Sequence, residues 1–136
     1  MKNNSLMPIE NRLLAALPTS DYERLIPHLK LVSLSLKQVI YEPNEPITHV
    51  YFPHKAVVSL LAIMKDGSTV EIGLVSNEGM VGIPVILGGN TTPLEAVVQV
   101  ANSAMRMNAD VLKAEFDRGG ALQSLLLRYI QALNTH

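Results

Sequence analysis

Four histidines, His28, His49, His54 and His136, are the only soft metal ligands in a chain without cysteine. The missing thiols remove iron–sulfur clusters, thiolate zinc sites and cysteine nucleophiles from the available chemistry. His49 and His54 are separated by Val50-Tyr51-Phe52-Pro53, and on a strand an odd spacing sends two side chains to opposite faces. A shared metal would need the Pro53 bend, and no His-x-His pair with a nearby Glu is present. The expectation is no metal and no cofactor. No serine occupies a G-x-S-x-G elbow, so a hydrolase triad has no anchor. Glu71, Glu78 and Glu95 flank a glycine-rich segment, where either an acid–base pair or plain solvated turns would account for them. The chain is expected not to be an enzyme.

The segment most able to receive a ligand is Glu78-Gly79-Met80-Val81-Gly82-Ile83-Pro84, followed by Gly88-Gly89-Asn90. Glycine tolerates positive φ and close approach of backbone to ligand, and successive amides in such a turn can form an anion-binding nest. A wide turn between strands explains the same residues.

Elements must position this cassette. Leu13, Leu14 and Leu17 predict a short helix interrupted by Pro18, and Ser20 with Glu23 has the S-x-x-E form of a capping box for a second helix burying Leu25, Ile26 and Leu29. From Leu31 the period changes to two, with Val32, Leu34 and Leu36 on one face. Pro43 to Pro46 reads as a turn, His49 to Phe52 as a short strand and Ala56 to Met64 as a longer one. Asp66-Gly67 is a hairpin signal, and Val70, Ile72 and Leu74 alternate along the returning strand. Strand character recurs at Ala96 to Val100 and at Met105 to Met107. Asn108 is placed to cap a helix through Phe116, with Asp110 near its positive end and Gly119-Gly120 as its stop. The last helix, from about Ala121, repeats Leu122, Leu125, Leu126, Tyr129, Ile130 and Leu133 at three- and four-residue intervals. That stripe either packs on its own domain or meets a partner helix; because the pattern is still running at His136, a homodimer contact is expected. Helix pair, about eight short strands and terminal helices predict a mainly β protein, an antiparallel β-roll or jelly roll with flanking helices.

The chain has 136 residues, 48% of them hydrophobic and 17% charged, enough for one domain with a real core. Its net charge of −1, from 11 Lys+Arg and 12 Asp+Glu, gives no electrostatic footprint for a polyanion. The apolar run Ala56 to Met64 falls far short of the ~20 residues of a membrane span. A cytoplasmic protein making no membrane contact is expected.

Ile40 to Pro46, then Val50 to Pro53, Gly73-Leu74-Val75, Glu78 to Gly82 and Glu115 to Arg118 follow in an order and spacing that resembles the cyclic-nucleotide-binding-like sensor domain of the Crp/Fnr family of bacterial transcription regulators. The resemblance implies a β-roll over residues 1–120 that takes a small effector, a dimerisation helix beginning in residues 121–136, and a DNA-binding helix-turn-helix outside this chain. It places the effector at Gly79, Met80, Val81, Gly82, Leu94, Glu95 and Ala96. Family members that bind cyclic nucleotides carry a Gly-Glu pair for the ribose and an Arg for the cyclic phosphate. Here Met80 follows Gly79, and Leu94 stands at the position of the Arg. Without a bidentate Arg a buried phosphodiester is poorly compensated, so a degenerate site with weak or no cyclic AMP binding is expected. A structural dimerisation module that binds no ligand is the alternative.

Overall fold

A computed structural model describes residues 9–133. Two short helices, α1 (Arg12–Ala15) and α2 (Thr19–Leu25), lead through a 3-10 turn into the strands β1 (Lys30–Leu34), β2 (Val39–Tyr41), β3 (His49–Pro53), β4 (Val57–Ile63) and β5 (Thr69–Val75). A single helical turn, α3 (Ile83–Ile86), precedes β6 (Glu95–Val100) and β7 (Asn102–Asn108), and the chain closes with α4 (Ala109–Asp117) and α5 (Ala121–Leu133). The strands form a three-stranded sheet in the order β1-β7-β3 and a four-stranded sheet in the order β2-β6-β4-β5, with every pairing antiparallel. This is the β-roll with flanking helices that the periodicities predict. Seven strands rather than eight are present among the described residues.

The core gathers Val50 and Phe52 of β3, Val58 of β4, Val98 of β6 and Leu112 of α4, each at most 1% exposed. Each such side chain contributes roughly 1.5–3 kcal/mol relative to an exposed position. Asn11 pins the N-terminal end to this core. Its side-chain oxygen accepts the N–H groups of Leu13 and Leu14, capping α1, while its amide donates to the carbonyls of Pro53 and Gly79, both at 2.9 Å. All four bonds are made by a side chain with no exposed surface.

Local signals hold where the partners are local. The Asn108 side chain accepts the Val111 N–H at 3.1 Å as the N-cap of α4. Gly119 and Gly120 take φ +80° and +82° between α4 and α5. Gly67, at φ +88°, turns β4 into β5. The Ser20–Glu23 capping box does not form. Pro18 is the N-cap of α2, because its fixed φ suits a helix start and begins the helix before Ser20. Strand β1 ends at Leu34, and Lys37 turns with φ +67°; Leu36, expected inside, is 60% exposed. Strand β2, three residues long with only Tyr41 buried, is too short to show a period.

On β5 the apolar set of the alternation, Val70, Ile72 and Leu74, is exposed by 48%, 57% and 55%. β5 is the outer strand of its sheet, and its register with β4 slips between Leu60 and Leu61, leaving Ile72 without a partner residue. A bulge of this kind re-aims side chains. Part of the apolar face is thereby turned toward a cavity.

Candidate effector site

The cavity measures about 400 Å³. Leu60 of β4, Ile72 to Val75 of β5 and Ala96 of β6 form its sheet wall, and Met80 to Pro84 form the cassette wall. Tyr41, Thr92 and Leu94 contribute from the flanking segments, while Tyr129 and Leu133 of α5 close one side. Of the residues singled out in the sequence, Met80, Val81, Gly82, Leu94 and Ala96 therefore meet at one place. Gly79 and Glu95 do not line it.

The first residues of the cassette are tied to the rest of the fold through their backbone amides. Gly79 N–H donates to the Ser76 carbonyl at 3.1 Å, Met80 N–H to the Tyr129 hydroxyl at 3.3 Å, and Val81 N–H to the Tyr51 carbonyl at 2.8 Å. A nest requires successive amides free to face a ligand; at 79–81 they are already bonded. Gly82 has φ +123°, and a β-carbon there would lie 2.6 Å from Val50 Cγ1 and 2.9 Å from Tyr41 Oη. Glycine is thus required twice, for the dihedral and for the space.

Two tyrosines supply most of the polarity. Tyr41 Oη donates to the His49 carbonyl at 2.6 Å and approaches the Val81 carbonyl at 3.1 Å, fastening β2 to the cassette. Burial, reinforced by the neighbouring Tyr51, pushes its pKa up and keeps it a neutral donor. Burial also raises the pKa of Tyr129, against the smaller opposing effect of the Met80 N–H. Since Tyr129 Oη accepts from Met80, its own proton remains to be donated, and no acceptor for it lies among the described residues. Thr92 Oγ1 accepts the Leu94 N–H at 3.2 Å, leaving its proton in the same condition.

The acidic residues lie outside the cavity lining. Glu71 accepts from Ser59 Oγ at 2.7 Å, Glu78 faces Arg12 at 3.6 Å on the exposed surface, and Glu95 stands opposite Leu61 in the β4–β6 ladder. His49 is bonded to Thr48 and His54 to Ser103, His28 is exposed, and His136 is outside the described residues. Among the described residues no group of three His, Cys, Asp or Glu is placed to hold a metal. No helix of the described residues is long and apolar enough to cross a membrane.

On α5 the apolar stripe is mostly covered by its own domain. Leu122 and Leu126 are 6% and 1% exposed within the core, and Leu125, Tyr129 and Ile130 are half-buried against it. Leu122 and Leu126, expected at a homodimer contact, instead meet the apolar surface of the roll. Only Leu133 of the stripe is exposed, at 44%, and Leu127, outside it, is exposed by 47%. The sequence reading missed Tyr41, Thr92, Ile72 and Leu74 as cavity walls and Asn11 as the anchor. Of these, only the isolated Asn11 ahead of Leu13 and Leu14 carries a local signal, that of an N-cap.

A family model described as the cyclic nucleotide-binding domain matches residues 31–118, from β1 to the end of α4. No curated protein matches the sequence. Among solved structures, the N-terminal domain of a transcriptional regulator from Streptomyces coelicolor A3(2) aligns with a TM-score of 0.69 at 16% identity, over 90% of this chain and 85% of that one. The sensor domain of the transcriptional regulator DNR from Pseudomonas aeruginosa gives 0.69 at 14% identity, over 90% and 81%. The regulatory subunit of a cAMP-independent protein kinase A from Trypanosoma brucei gives 0.72 at 13% identity, over 93% of this chain but only 44% of that subunit. At these identities the likeness is one of fold. With the family match extending over most of the chain and the roll carrying the cassette against its terminal helix, the chain belongs to the cyclic nucleotide-binding domain family.

Proposed function

We propose that the chain is the effector-sensing, non-enzymatic domain of a Crp/Fnr-like transcription regulator whose cyclic-nucleotide site is degenerate. The observation that carries this reading is the cavity walled by Met80 and Leu94 and closed by Tyr129 of α5. A molecule entering it touches both the cassette and the terminal helix, so its binding shifts the population of helix positions. Met80 and Leu94 take the places that the family resemblance gives to the ribose Glu and the phosphate Arg. In this reading residues 1–120 are the sensor, residues 121–136 begin a helix that pairs two copies in the cytoplasm, and DNA is contacted by a domain outside the chain.

The test is a thermal-shift series with cyclic AMP, cyclic GMP, cyclic di-GMP and a panel of common metabolites. A ligand at a hundred times its Kd adds about 2.7 kcal/mol of stability. No shift with the cyclic nucleotides and a shift with another small molecule is the expected result. A cyclic-nucleotide shift would overturn the degenerate site, and silence throughout would favour a structural module.

A further inference from the structure

We infer that the cavity selects an uncharged, largely apolar small molecule carrying a hydrogen-bond acceptor, a ligand class that rests on the effector-sensing reading above. Its volume of about 400 Å³ lies within the range of small-molecule sites. Among the described residues lining it there is no Asp, Glu, Lys, Arg or His. A carboxylate, ammonium or phosphate placed there would lose its hydration without a counter-charge. Of the cassette amides, those of residues 79–81 are each bonded within the protein.

The polar groups narrow the class further. Tyr41 Oη already donates within the protein. Tyr129 and Thr92 each accept a backbone N–H and hold a hydroxyl proton with no acceptor among the described residues. Tyr129 and Thr92 thus offer donors, and the matching ligand group is a neutral acceptor such as a carbonyl, ether or alcohol oxygen. The remainder of the ligand meets hydrocarbon from Leu60, Ile72, Leu74 and Leu94. The exposure of Ile72 and Leu74 on an outer strand is accounted for by the same ligand, which would cover them.

The experiment uses the 136-residue chain and N-phenyl-1-naphthylamine, an uncharged apolar probe whose fluorescence rises when it leaves water. The probe is expected to bind the wild type and the Val70→Trp variant alike. Its affinity should fall at least tenfold in Ile72→Trp, whose indole fills the cavity from a strand position that tolerates aromatics. In competition, 1-octanol should displace the probe at a concentration at least tenfold below octanoate at pH 8. Tyr129→Phe should raise the octanol requirement severalfold while the probe still binds. Equal displacement by octanol and octanoate, or undiminished probe binding in Ile72→Trp, overturns the ligand class. Hydrogen exchange of α5 with the probe bound separates the two claims. Displacement in the predicted order with unchanged α5 exchange upholds the ligand class and removes the sensing reading, whereas a preference for octanoate or cyclic AMP with altered α5 exchange does the reverse.

Discussion

The hydroxyl of Tyr129 occupies the space that a β-carbon on Gly79 would need, and from there it accepts the Met80 N–H at 3.3 Å. Gly79 is also where the N-terminal helix is tied in, since its carbonyl accepts from Asn11 at 2.9 Å. One residue of the cassette is thus in contact with both ends of the chain. Any change in the cassette that moves Gly79 must also move Tyr129 on α5 or break its bond.

Gly79→Ala should therefore destabilise the domain by about 1–3 kcal/mol, the usual range for overpacking. In a Tyr129→Ala background most of that penalty should disappear, because the overlapping hydroxyl and ring are gone. Urea unfolding of the four proteins measures the coupling. Additive losses would mean that the two residues are independent.

Asn11→Ala removes a helix cap, about 1 kcal/mol, and leaves the Pro53 and Gly79 carbonyls without their donor, roughly another 1–3 kcal/mol. A total loss of about 2–4 kcal/mol is expected, read as a lower urea midpoint at unchanged m. A loss below about 1 kcal/mol would mean that water replaces the amide at both carbonyls.

Leu126→Ala should destabilise the domain by about 2–5 kcal/mol, as for a buried leucine, whereas Leu127→Ala should stay within about 0.5 kcal/mol. Thermal unfolding, with sedimentation to follow oligomeric state, distinguishes the outcomes. Dissociation of an oligomer by Leu126→Ala without loss of protomer stability would place that face against a partner instead of the roll.

His49 should titrate below the ordinary histidine value of about 6.5, because partial burial and then the charge of Arg106 disfavour its imidazolium. The unfolded chain consequently binds the proton more readily, so this group's contribution to stability is present above the unfolded pKa and declines as pH falls toward the folded one. NMR titration of the imidazole should show the midpoint rising in Arg106→Gln. An unchanged midpoint would leave burial as the whole cause.

How much of the site was legible depends on how far apart its parts lie in the chain. Met80, Val81 and Gly82 stand out because closely spaced glycines mark an irregular segment. Tyr41 does not, since a hydroxyl that meets a carbonyl forty residues away has no local signature, and Tyr129 stands out only as part of the α5 stripe. The β5 alternation is legible as a strand, yet along it only Val75 is buried. Period two shows that two faces differ but not what lies against each. The same limit applies to α5, whose stripe is apolar whether it meets the roll or another helix.

Sequence alone determined the elements governed by contacts a few residues long. These are the Asn108 cap, the Asp66-Gly67 hairpin, the Gly119-Gly120 break and the strand and helix periods, whose hydrogen bonds close within one turn or one hairpin. Tertiary structure alone decided which amides of the cassette are bonded, that Leu122 and Leu126 enter the core, and that a bulged outer strand turns Ile72 toward a cavity under Tyr129. Each of those outcomes depends on what packs across the fold, and burial is decided by the whole surface that a side chain meets.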